Sequence, residues 1–234
     1  PAPATGAGLL YIRGGLARLG PMALIHKADL RPTKMELISS WLPTVPWFTG
    51  AGGAGGRAEP LAAYRFDDPA GQVGMETHIV RSGDLTVQVP LTYRADPLEG
   101  GDGYLVGTME HSVLGRRWVY DGCGDPVYVS AFAAAVLDGV GQAPLYVEED
   151  GVRRELPQSM ELETSGMPDG EELVEAPERE PAGWTATLMH RDGWELSLVR
   201  VLDLGGRAAP PPSLVGTWEG QREPAVLGWA LPLG

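Results

Sequence analysis

Five short runs, Leu61 to Phe66, Val73 to Arg81, Leu85 to Tyr93, Tyr104 to Met109 and Arg116 to Tyr120, follow one another with little but turn-forming residues between them. Each has the length of a strand, and the gaps are too short for a crossover helix, so consecutive runs must pair antiparallel as a meander. Immediately afterwards, Asp125-Pro126 leads into the apolar, Ala-rich stretch Val127 to Leu137, and Gly139 follows. Asp at the N-cap, Pro in the first turn and Gly at the end predict a helix with both termini marked. A meander followed by a helix that must bury its apolar side against it is an α+β arrangement.

Upstream, Ala23 to Ala28 reads as a short strand and Pro32 to Leu42 as a helix, with Met35, Ile38, Trp41 and Leu42 on one face and Pro43 and Pro46 ending it. Gly50 to Gly56 reads as a loop. Downstream, strands are expected near Leu145 to Glu148, Thr185 to His190, Glu195 to Leu202, Leu214 to Trp218 and Ala225 to Ala230. The organisation expected is a poorly ordered leader at 1–21, an α+β domain at 22–150, an acidic Pro/Gly-rich loop at 151–182 and a second small β-rich part at 183–234. Leu105-Val-Gly-Thr-Met-Glu110 and Leu214-Val-Gly-Thr-Trp-Glu219 echo each other, but their flanks differ, and they read as two similar strands rather than a repeat.

Charge narrows the function classes. The net charge is −13, and the segment from Glu148 to Glu180 holds twelve Asp or Glu against three Arg. Nucleic acid and anionic membrane surfaces reward clustered Lys and Arg, so neither is an expected partner. No apolar run reaches the length of a membrane span, and no signal peptide is read at the start. The single cysteine, Cys123, suits a reducing compartment. A cytoplasmic location is expected.

Motifs with chemistry are few. Gly50-Ala-Gly52-Gly-Ala-Gly55 satisfies G-x-G-x-x-G, but a Pro-broken segment precedes it and Arg57-Ala-Glu-Pro60 opens no helix, so no nucleotide role is expected. His26, His78, His111 and His190 are scattered without ligand spacing, and no metal or other cofactor is expected. The densest cluster of unusual residues runs from Gly107 to Pro126. Within it Glu110, His111, Arg117, Trp118, Asp121 and Asp125 are the candidate binding or interaction residues, four of which (Glu110, His111, Arg117 and Asp121) would line a polar pocket for a sugar or a partner. The alternative is that Arg117 pairs with Asp121 or Asp125 and Trp118 packs in the core.

Several long motifs resemble the maltokinase N-terminal cap family, including stand-alone actinobacterial members. They are Met22-Ala-Leu-Ile-His-Lys-Ala-Asp-Leu-Arg-Pro-Thr-Lys34, Trp41-Leu42 to Trp47-Phe48, Tyr64-Arg-Phe-Asp-Asp-Pro69, Gly107 to Gly115, and Arg117-Trp-Val-Tyr-Asp121 leading to Asp125-Pro126. The resemblance implies a cystatin-like cap, a curved antiparallel sheet with packed helices, continued by a part like the start of a kinase N-lobe. It sets Ser197, in Trp194-Glu-Leu-Ser-Leu-Val-Arg200, where the kinase strand carries its phosphate-binding lysine. Phosphoryl transfer needs that cation, a catalytic Asp and Mg²⁺ ligands on a further lobe. The expectation is therefore a non-catalytic interaction or regulatory protein, or an accessory part of a sugar kinase, linked to maltose, trehalose or α-glucan metabolism. Its expected partner is an enzyme of that metabolism, and a maltose-like sugar is the alternative ligand.

Overall fold

A computed structural model describes residues 24–25, 29–149, 152–165 and 184–233. The expected leader, 1–21, lies outside the described residues, as does most of the second half of the acidic segment. In chain order the strands are β1 (Leu24–Ile25), β2 (Leu30–Arg31), β3 (Glu59–Phe66), β4 (Gly74–Ser82), β5 (Leu85–Arg94), β6 (Leu105–His111), β7 (Gly115–Asp121), β8 (Leu145–Glu149), β9 (Val152–Leu156), β10 (Met160–Thr164), β11 (Ala186–Arg191), β12 (Trp194–Val199), β13 (Ser213–Trp218) and β14 (Gln221–Pro232). The α-helices are α1 (Lys34–Trp41), α2 (Pro46–Gly50) and α3 (Pro126–Asp138).

The meander forms a six-stranded antiparallel sheet in the order β2-β6-β7-β5-β4-β3. A second, five-stranded antiparallel sheet runs β10-β13-β14-β12-β11, and β1, β8 and β9 form a small third one in which β1 lies parallel to β8. The fold is α+β and dominated by sheet, as the sequence predicts. Strand period sorts the side chains of the first sheet. Along β5, Val87, Val89 and Leu91 meet Leu37, Ile38, Trp41 and Phe48 of α1 and α2 in one cluster. From β3 and β4, Tyr64, Phe66, Met75 and Ile79 meet Tyr128 and Phe132 of α3, together with Leu196, Leu198 and Trp229 of the second sheet, in another. Both faces of the first sheet are thus covered.

The helices start where their caps dictate. Thr33 and Glu36 form a reciprocal capping box, so α1 begins at Lys34 rather than at Pro32. The Asp125 carboxylate accepts from the Val127 amide at 3.0 Å, Pro126 opens α3, and Gly139 ends it at φ 67°. Two strands fall where an acidic loop is expected. β9 pairs with β8, and β10 is an edge strand of the second sheet against β13. In β10, Met160 and Leu162 alternate with Glu161 and Glu163, and the inward Met160 is 2% exposed, so apolar alternation prevails over charge.

The two large sheets are joined by main chain. β7 pairs with β5 only from Leu91 to Arg94, which leaves the first half of β5 open on that side. Residues 200–202 fill the gap: the Gln88 amide donates to the Arg200 carbonyl, the Leu202 amide donates to the Thr86 carbonyl, both at 2.8 Å, and Val87 bridges Val201. The buried Gln88 side chain completes the join, with Nε2 donating to the carbonyls of Val199 at 2.7 Å and Leu227 at 2.9 Å, and Oε1 accepting from the Tyr64 hydroxyl at 3.0 Å. Every polar atom of that amide is satisfied, as a fully buried position requires. The outer edge of β3 is closed by Ser159, whose hydroxyl bonds both the amide and the carbonyl of Ala63.

Candidate functional site

The six residues singled out in the sequence fall into separate settings. Glu110 and Arg116 stand opposite each other on β6 and β7 and form an exposed ion pair at 3.0 Å. Arg117, one residue on, takes the other face of the strand, and its Nη1 donates to the Arg116 carbonyl at 3.3 Å. Trp118 is half-buried opposite Thr108. His111 closes the hairpin between β6 and β7, where its Nδ1 accepts from the amides of Val113 at 3.2 Å and Leu114 at 3.1 Å. Ser112 clamps the same turn to the preceding chain, donating its amide to the Asp29 carbonyl and accepting the Asp29 amide on its hydroxyl, each at 3.0 Å. This rigid tip carries Val113 and Leu114 at 57% and 48% exposure.

Asp121 and Asp125 are engaged elsewhere. Arg200, 1% exposed, donates from Nη2 to Asp121 Oδ2 at 2.6 Å and from Nε to Thr187 Oγ1 at 2.7 Å, and its guanidinium lies over the Trp47 ring at 5.1 Å. Arg94 makes a two-pronged pair with Asp125, both bonds 2.7 Å. Burial alone would raise the Asp125 carboxyl, but the Arg94 hydrogen bond and the Val127 amide outweigh it and hold the group below its usual range. The acid partners of Arg200 and Arg94 are thus the ones that Arg117 was expected to meet. Cys123 lies buried beside Arg200 and Asp121, and burial pushes its thiol up, away from the thiolate form a nucleophile needs.

The cleft of the molecule lies on the other side of the hairpin. It measures about 560 Å³ and is lined by Asp29, Leu30, Arg31, Thr33, Lys34, Met35, Pro60, Glu76 and His78. β4 alternation turns Glu76 and His78 toward α1, where the Lys34 ammonium pairs with Glu76 and lies over the Tyr93 ring at 5.5 Å. His78 Nε2 stands 3.6 Å from Glu76 Oε2 and 3.4 Å from the Tyr93 hydroxyl. Burial opposes ionisation of Glu76, but the combined fields of His78, Lys34 and Arg65 prevail and bring its pKa down to about 2. Burial pushes His78 below its ordinary value, only partly offset by Glu76. Sequence reasoning missed this group because Lys34 and Glu76 are 42 residues apart. The available signal was the placing of Glu76 and His78 on the same face as buried Val80.

No group of three or more His, Cys, Asp or Glu side chains capable of holding a metal ion occurs among the described residues. None of the described helices is long and apolar enough to cross a membrane. The segment carrying the meander, the clamped hairpin and the Asp125 cap decides the relationship. Residues 41–125 match the maltokinase N-terminal cap domain. The match begins at the last residue of α1 and ends on the N-cap of α3, so this cap segment contains five of the six strands of the first sheet. The second sheet and most of the cleft wall lie outside it. No curated protein matches the chain.

Proposed function

We propose that this chain is a non-catalytic cap-type module that docks on an enzyme of maltose, trehalose or α-glucan conversion in the cytoplasm. The observation that carries the reading is the clamped hairpin tip with Val113 and Leu114 exposed inside the cap segment. Tight turns ordinarily carry Gly, Asn or Asp, and two branched aliphatics held rigidly in water contribute nothing to folding; in an interface they act as preorganised anchors. Ser197 supports the non-catalytic part. At the position that the resemblance gives to a phosphate-binding lysine, it is 3% exposed in β12 and presents no cation.

The test is titration of the purified chain against maltose-, trehalose- and α-glucan-converting enzymes. A saturable complex that V113S/L114S weakens at least tenfold, with the melting temperature unchanged, is the expected result. ATP-dependent phosphorylation of maltose by the purified chain would overturn the reading. The 560 Å³ cleft favours a second reading, a small-molecule binder with a maltose-like sugar as the first ligand to try.

A further inference from the structure

The second reading leaves the ligand's chemistry open, and the cleft wall narrows it. The lining is richer in unengaged donors than in unengaged acceptors. Arg31 is exposed at the mouth and has no acid partner among the described residues. Lys34 and Met35 are the first two residues of α1, and their amides meet no acceptor among the described residues, because the capping box engages only the amides of Thr33 and Glu36. The Lys34 ammonium keeps donors beyond the one directed at Glu76. On the acceptor side, Glu76 is already paired with Lys34, and Asp29 stands at the exposed rim with its backbone tied to Ser112.

His78 supplies an observation independent of the helix terminus. It is 5% exposed and lines the cleft, and while Nε2 is directed at Glu76 and Tyr93, Nδ1 has no partner among the described residues. A ring nitrogen at that burial ordinarily finds a partner. A ligand oxygen in the cleft would provide one.

We infer that the cleft beside the N-terminus of α1 is an oxyanion site for a small carboxylate or phosphate group, held by Arg31, Lys34, the Lys34 and Met35 amides and His78. A helix start, where amide donors and the dipole both favour negative charge, is the natural seat for such a group. The apolar walls of Leu30, Met35 and Pro60 receive the remainder of the molecule. This inference rests on the small-molecule reading of the cleft and adds the charge and the groups that meet it.

Calorimetric titration of the full chain at constant chloride ionic strength tests it, with inorganic phosphate, acetate and maltose as separate probes. Saturable binding of phosphate or acetate is expected, and whichever binds more tightly names the group. Arg31→Gln should weaken that binding at least tenfold with the melting temperature in chloride unchanged, since Arg31 is exposed and holds no acid. Arg222→Gln, an exposed change on β14, should leave it intact. Anion binding that Arg31→Gln leaves unchanged, or that both variants weaken equally, overturns the inference. Binding of maltose alone overturns it too but keeps the small-molecule reading, and binding of none of the three ends both.

Discussion

Removing the Asp121 carboxylate should destabilise the whole protein, because it leaves the Arg200 guanidinium charged at 1% exposure with only Thr187 and the Trp47 face as partners. Deleting one partner of a buried pair typically costs about 3–5 kcal/mol. A chain of this size melts about 2–4 °C lower per kcal/mol lost, so Asp121→Ala should melt roughly 6–20 °C below the parent. Arg200→Met leaves the opposite charge uncompensated and should be comparably damaging. The double variant D121N/R200M replaces the ionic pair by neutral groups of similar shape, and most of the loss should return. Urea and thermal unfolding followed by tryptophan fluorescence read the cycle, with Trp47 stacked on the guanidinium as a local reporter. A single variant within about 1 kcal/mol of the parent, or a double variant carrying the sum of the two losses, would refute the assignment. Because Asp121 ends β7 and Arg200 follows β12, the variants should lower the stability of both sheets in one transition.

Acid unfolding should report on Glu76. Its folded pKa, about 2, lies below the ordinary carboxylate value, so its stabilisation is present above about pH 4.5 and is lost as pH falls toward 2. His78, also lowered, adds a loss that begins as pH drops below about 6.5, the ordinary histidine value. Glu76→Gln should flatten the dependence of stability on pH below about 4.5, and an unaltered slope there would contradict the pairing with Lys34. Gly228→Ala should destabilise by about 1–3 kcal/mol or more, since a Cβ there would lie 2.4 Å from the Ser197 carbonyl oxygen and 2.5 Å from Phe132 Cζ. A denaturant midpoint equal to the parent's would mean that α3 does not press on β14 as described.

Much of the fold is legible because it is written locally. Asp125, Pro126 and Gly139 bracket α3 to within a residue, and the alternation of β4 and β5 fixes two strands and their faces. The acidic region hides β10 because Glu161 and Glu163 occupy the outward positions between Met160 and Leu162, so composition and periodicity disagree. The candidate site was less legible for a different reason. Arg94 and Arg200, which pair with Asp125 and Asp121, lie 31 and 79 residues away from them, and nothing in the spacing from Gly107 to Pro126 can foretell a partner supplied by another sheet. The same holds for Lys34 and Glu76. What the hairpin sequence did indicate was an unusual turn, and His111, read there as a binding residue, caps the turn with its own ring nitrogen.

The three residues laid beside β5 mean that the stretch shared with other proteins is shorter than the stretch able to stand by itself. Cut out at 41–125, the cap would leave the amide of Gln88 and the carbonyl of Thr86 facing water along a bare strand edge, and the Gln88 side chain without the two carbonyls that receive it. Such an edge recruits any extended segment that meets it, a second cap included. The boundary of kinship and the boundary of autonomy therefore fall at different places in this chain, and a fragment drawn along the first should aggregate where the longer chain remains monodisperse.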